Sequence, residues 1–269
     1  MAFSAGATSI NIKGLTAGWR TLGIKPGDCV MVHSSMRTLG KIVELNGAVV
    51  EKPRAAAIVN QSLLECVGER GTIVQPGLSG TGHWLTADNP VWTRTKEIAR
   101  FTIPEVFRQM EGTIRSLHPT HSVCANGYLA EALTAGHENA PTPCGIDSPY
   151  AKLIQFNAKI LLIGVDLNSC TLVHHLEEKY NAPGHMQAGK TVSIIIEDLG
   201  IREFRYHLIP DMEGFRERNF NLLAPFLKTA KALVEGQVGE APCLLVTDLN
   251  KMDKIAAEQF EKNPSFLIV

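Results

Sequence analysis

The chain has 269 residues, 45% hydrophobic and 20% charged, with a formal net charge of −1 when its nine histidines are neutral. This is the make-up of an ordinary globular protein long enough to bury a core, and nothing global in its charge attracts nucleic acid or an anionic membrane. No apolar run approaches the roughly 20 residues that span a bilayer. The first residues lack a signal-peptide pattern and the six cysteines lack CxxC or paired spacing, so a reduced, cytoplasmic protein is expected.

In chain order, residues 12–22 predict a first helix, weakened by Gly14. Pro26-Gly27-Asp28 marks a turn before a buried strand at 29–32 that ends at His33-Ser34-Ser35. Pro53 opens a helix running to Val67, with Ala56, Val59, Leu63 and Val67 on one face. Residues 72–75 read as a strand closed by Pro76-Gly77. From Gly77 to Phe101 no period is sustained, as in a functional loop. Helix, strand, helix and helix follow at 104–110, 122–125, 128–135 and 148–157, then an apolar strand at 159–165. Residues 190–197 and 202–209 flank Asp198-Leu199-Gly200 as a hairpin. Helices at 222–235 and 249–262 bracket a strand at 243–246. Strands alternating with helices, plus one hairpin, predict an α/β single-domain α/β/α layered fold with a mixed central sheet over 1–269.

The most informative segment is Asn168-Ser169-Cys170-Thr171-Leu172-Val173-His174-His175-Leu176-Glu177. It follows the 159–165 strand and puts His174 and Glu177 three residues apart on one helix face. An imidazole whose tautomer is fixed by a carboxylate suits a general base. The same spacing also fits a plain surface hydrogen bond. A metal is not expected: His174 and His175 diverge by about 100° on a helix, and HExxH is absent. Two further segments read as cleft linings: the turn His33 to Arg37 at the end of a strand, where open α/β sheets bind ligands, and Arg115 to Ser122 with its basic and imidazole groups. Gly77 to Gly82 is glycine-rich, but neither helix nor Lys-Ser/Thr follows it, so it is no phosphate loop. A GxSxG elbow is missing too.

In order along the chain, these segments resemble the aminoglycoside 3-N-acetyltransferase family. His33-Ser34-Ser35 with Leu39-Gly40 is similar to its VHSS segment. Gly71 to Pro76 is similar to GTLVMP, Arg115-Ser116-Leu117-His118-Pro119 to RSxHP, Ser148-Pro149 to a helix-opening SP, and 168–177 to NxxTxxHxxE. The closing residues 236–248 and 263–267 also match. The resemblance implies acetyl-CoA as cofactor, a small-molecule amine as partner, and a monomer or homodimer binding no nucleic acid or membrane. It implies His174 as base and Glu177 as its orienting partner or as a hold on the substrate ammonium. It places His33, Ser34, Ser35, Met36, Arg37, Thr171, Arg115, Ser116 and His118 along the cofactor, and Asp88, Trp84 and Glu177 at the substrate.

The expected activity is direct acetyl transfer to the 3-amine of an aminoglycoside-type antibiotic, a resistance reaction. The loop before RSxHP carries Arg94, Lys96 and Arg100 against Asp88 and Glu97, which favours a different amine, such as an amino-phosphonate or amino sugar, as the alternative. A His/Glu thioesterase is the other. An extra stretch, 41–52, stands where the family has a compact turn and is expected to reshape the cleft mouth.

Overall fold

The structure is a computed structural model that describes residues 9–79, 90–98, 102–186, 192–196, 199–207 and 214–269. A short strand β1 (Ser9–Ile10) leads into helix α1 (Ile12–Leu22). The Asn11 side chain accepts from the Gly14 N–H at 3.1 Å, and Gly23 closes the helix in the left-handed region at φ 111°. Strand β2 (Cys29–Ser34) is followed by a single 3-10 turn and β3 (Lys41–Ile42), which pairs in parallel with β1. Then come α2 (Lys52–Val67), β4 (Thr72–Pro76), β5 (Val91–Trp92), α3 (Thr102–Arg108), β6 (Ile114–Arg115) and β7 (Val123–Gly127). Next are α4 (Ala130–Thr134), α5 (Pro149–Gln155), β8 (Lys159–Ile163) and α6 (Leu172–Lys179). The chain ends through β9 (Val192–Ile196), β10 (Gly200–Phe204), α7 (Ala224–Thr229), β11 (Leu233–Val238), β12 (Ala241–Val246) and α8 (Leu249–Lys262).

Seven strands form the central sheet in the order β11-β12-β8-β2-β4-β7-β6. The middle three, β8, β2 and β4, run parallel, and the wings are antiparallel. The expected mixed sheet is therefore present, with a helical layer on each face. Side-chain alternation builds both layers from the same strands. In β2, Cys29 and Met31 enter one core with α5, α6 and α8, while Val30 and Val32 enter the other with α1 and α2. Ile160 and Leu162 of β8 take the first side, Leu161 and Ile163 the second. Strands buried on both faces read as continuous apolar runs, which is why 29–32 and 159–165 were legible.

A separate three-stranded sheet, β10-β9-β5, covers a small cluster of Trp92, Leu117, Ile194, Ile196 and Phe204. Its β9–β10 pairing is antiparallel, as the hairpin reading required. Among the described residues no helix is long and apolar enough to cross a membrane.

One expected element is corrected. The helix at 222–235 stops at Thr229, Lys231 turns the chain at φ 54°, and residues from Leu233 become edge strand β11 paired with β12. Pairing of Leu233 with Val246 and of Val238 with Ala241 overrides local helix propensity.

Candidate active site

The strand order reverses at β2: the chain crosses from β2 to β4 on one side and reaches β8 on the other. Ligands of open α/β sheets sit at the carboxyl ends of strands at such a switch point. Three strand ends meet there, and a cavity of about 250 Å³ is lined by His33 and Ser34 at the end of β2, Pro76 and Leu78 at and beyond the end of β4, and Thr171 and His174 after β8. A larger cleft of about 640 Å³ shares Ser34 and Val165 with it, and includes Ser35, Met36, Arg37 and Lys41. The stretch 41–52 does line this cleft, through Lys41, Ile42, Val49, Val50 and Lys52.

The loop after β8 is held by side chains that cap backbone groups. Asp166 accepts from Asn168 N at 3.0 Å, and Asn168 in turn accepts from Phe220 N at 2.7 Å, while Asn221 accepts from Leu167 N at 3.1 Å. These bonds tie the segment carrying Arg218 to the start of α6. The hydrogen bond that the spacing predicted is formed: His174 Nδ1 lies 2.9 Å from Glu177 Oε2. Glu177 is 1% exposed and is also met by Arg218 Nε at 2.6 Å and by His185 Nδ1 at 3.1 Å. Arg218 further donates to the carbonyls of Gly184 and Arg216. Burial alone would raise the Glu177 pKa. Hydrogen bonds from His174 and His185 more than reverse this and hold the carboxyl far below its usual range.

Next on the helix, His175 turns away as expected, its Nδ1 2.6 Å from the Cys144 carbonyl. Glu178 accepts from Cys144 N at 2.8 Å and meets His207 Nε2 at 2.6 Å. Burial pushes the Glu178 carboxyl up, against hydrogen bonds from Thr142 and Cys144. Burial, with a lesser contribution from neighbouring His174, lowers His33 to about 3, so it is neutral near pH 7. Its Nε2 and the Ser34 hydroxyl are buried without a hydrogen-bond partner, both at the cavity.

The other expected cofactor contacts part company. Thr171 is at the start of α6 and lines the inner cavity, while Ser35, Met36 and Arg37 line the larger cleft. Arg115 is tied into the fold. All five of its N–H donors are taken: Nε by Ser122 Oγ at 2.9 Å, Nη2 by Gly77 O at 2.6 Å and Ser79 Oγ at 2.9 Å, Nη1 by the carbonyls of Arg94 and Lys96. It is buried under Trp92 and has no donor left for a phosphate. Ser116 is likewise occupied, by His137 Nδ1 and Val123 N, both at 2.9 Å. His118 is fully buried, accepts from His121 N at 3.1 Å and stacks on His137. None of the three is among the residues lining the two cavities described above. Asp88 and Trp84 lie outside the described residues.

Sequence reasoning missed His185, His207 and Arg218. They come from irregular segments around 183–186, 205–207 and 214–219, where no period singles them out. His121 was read only as a cleft lining; its ring lies 6.2 Å from that of His174. His185 and Glu178 face a third cavity, of about 430 Å³, with Asn181, Met186 and Arg205.

The family model described as aminoglycoside 3-N-acetyltransferase matches residues 31–261. The chain belongs to the aminoglycoside 3-N-acetyltransferase family. Among relatives of this family member, aminoglycoside N(3)-acetyltransferase VII of Streptomyces paromomycinus is 32% identical over 215 residues, covering 72% of this chain and 68% of that one. The crystal structure of YokD from Bacillus subtilis has a TM-score of 0.74 at 26% identity, covering 94% of this chain and all (100%) of that one. AAC-IIIb, solved as a binary complex with CoASH, has a TM-score of 0.75 at 24% identity, covering 95% and 97%.

Proposed function

We propose that this chain is an acetyl-CoA-dependent N-acetyltransferase acting on an amine of an aminoglycoside-type molecule, with His174 as general base. The observation that carries the reading is the His174–Glu177–Arg218 chain at the inner end of two cavities that share Ser34 and Val165. Membership of the family and a relative solved with CoASH support the cofactor. The larger cleft fits it: apolar Ile42, Val50 and Ile103 suit a pantetheine arm, and Arg37, Lys41 and Lys52 suit its phosphates. When bound, acetyl-CoA supplies the acetyl group as an electrophilic thioester.

The protein's own residues supply the rest. Glu177 accepts a hydrogen bond from the His174 Nδ1–H, which fixes the tautomer and leaves Nε2 to take a proton from the acceptor's amine. Hydrogen bonds from His174 and His185 hold Glu177 ionised, with Arg218 Nε 2.6 Å away, so the imidazolium that forms has a compensating charge. The unpartnered Ser34 hydroxyl, with Thr171 beside it, would donate to the oxygen on which charge develops. Amine and thioester held at one strand end gain the advantage of proximity.

A second acceptor class is favoured by one observation: beside the third cavity Glu177 is paired with Arg218, burial raises the Glu178 carboxyl, and Arg205 lines the same space. Little free negative charge remains there for a polycation, which suits an amine that also carries an anionic group. The test is thiol release from acetyl-CoA against aminoglycosides, amino sugars and amino-phosphonates, with an acceptor-free control. Release that depends on a 2-deoxystreptamine compound supports the main reading; release only with the other amines moves the acceptor class. Equal release without any acceptor means a thioesterase. His174→Ala should lose about 10²–10⁴ in kcat while still binding CoA; retained turnover removes His174 as base.

A further inference from the structure

Six of the nine histidines make one connected set of ring contacts: His118, His121, His137, His174, His185 and His207. Three of them converge. One ligating nitrogen from each of His174, His185 and His207 lies within 4.8 Å of the other two. Their ring centroids are 5.2 Å apart for His174 and His185, 5.0 Å for His174 and His207, and 4.1 Å for His185 and His207. Imidazoles on one tetrahedral zinc, with Zn–N of about 2.0–2.1 Å, place their centroids roughly 5 Å apart.

Each of the three rings also has one nitrogen on a carboxylate. His174 Nδ1 and His185 Nδ1 share Glu177 Oε2, and His207 Nε2 meets Glu178 Oε1. A carboxylate on one ring nitrogen fixes the tautomer and frees the other nitrogen's lone pair, the usual support of a histidine ligand. The remaining nitrogens of His185 (Nε2) and His207 (Nδ1) are buried and have no hydrogen-bond partner. These residues are 3% and 4% exposed. An unsatisfied buried polar atom costs about 1–3 kcal/mol, and an ion would satisfy both at once. The His174 side chain is 26% exposed, which gives an ion a route to the trio from solvent. A second trio, His121, Cys144 and His207, shares one member. It has one nitrogen buried without a partner, His207 Nδ1, against two in the first trio, His185 Nε2 and His207 Nδ1, so the first trio is the better-built site.

We propose that His174, His185 and His207 bind one divalent transition-metal ion of the zinc class, and that the ion blocks acetyl transfer by taking the His174 lone pair. The blocking half rests on the base reading above; the binding half does not. Chelator-treated protein would be titrated with zinc(II) against a chromophoric chelator, and with cobalt(II) by its visible absorption. One equivalent should bind. His185→Gln and His207→Gln, each checked for folding by circular dichroism, should weaken binding at least 100-fold. Glu178→Gln should weaken it about 10–100-fold, and Cys144→Ser should leave it unchanged. Zinc should lower transfer in step with occupancy, and chelator should restore it. No stoichiometric binding by the wild type, or unchanged binding in both histidine variants, overturns the site; loss in Cys144→Ser and His207→Gln with His185→Gln unchanged overturns it in favour of the second trio. Stoichiometric binding with undiminished transfer overturns the blocking half. Full activity of metal-free His174→Ala would instead condemn the base reading and leave the binding data standing.

Discussion

Glu177 accepts from two imidazoles and a guanidinium while only 1% exposed. Its loss therefore does more than untether His174. Glu177→Gln leaves the Arg218 charge buried, a fault that typically costs about 3–5 kcal/mol. Urea unfolding should show this destabilisation for Glu177→Gln and much less for the Glu177→Gln/Arg218→Gln double variant, a coupling that a mutant cycle reads directly. If the two single losses simply add, the ion pair is not the support described here. Of these contacts only the i,i+3 pair was visible in the sequence, because it is local. Arg218 is 41 residues away and is delivered by the Asn168 and Asn221 side chains, which no periodicity encodes.

The elements that read cleanly from the sequence are those whose ends are chemically local. Helix α1 begins at a capping Asn11 and ends at Gly23; α8 begins at Asp248, which accepts from Lys251 N at 2.9 Å. The stretch after Thr229 did not read cleanly, because β11 exists only through its partner β12. The Gly77–Phe101 segment showed no period because its described part is fastened by Arg115 and Trp92 rather than by a repeating face. Gly164 illustrates a requirement that belongs to the β8 end rather than to any one side chain. It sits at φ 63°, and an added Cβ would collide with Thr38 Oγ1 in the turn after Ser35. Gly164→Ala should lower the unfolding free energy read from urea titration by more than about 1 kcal/mol and raise KM for acetyl-CoA more than it lowers kcat. An unchanged KM would separate this turn from the cofactor cleft.

Across the whole molecule, burial holds His33 and His137 each at about 3, with nearby charge or backbone bonding adjusting the effect. Their folded values lie below the unfolded value near 6.5, so the unfolded chain takes up protons first. The stability tied to their neutral forms is complete above about pH 6.5 and declines as pH falls toward 3, by up to about 1.4 kcal/mol per pH unit for each group. Urea midpoints should fall steadily from pH 7 to pH 4, and a flat profile would show that these rings are not buried neutral. The His33→Asn/His137→Asn variant should flatten the slope.

Arg115, finally, grips Gly77 and Ser79 with one edge of its guanidinium and the Arg94 and Lys96 carbonyls with another. The two shores of the 80–89 sequence are thereby moored to one post. Between moored ends, doubling the length of an insertion costs only about 0.6 kcal/mol of closure entropy. By that measure lengthening the chain between Ser79 and Pro90 costs little, whereas losing Arg115 would release both shores at once and with them the end of β4.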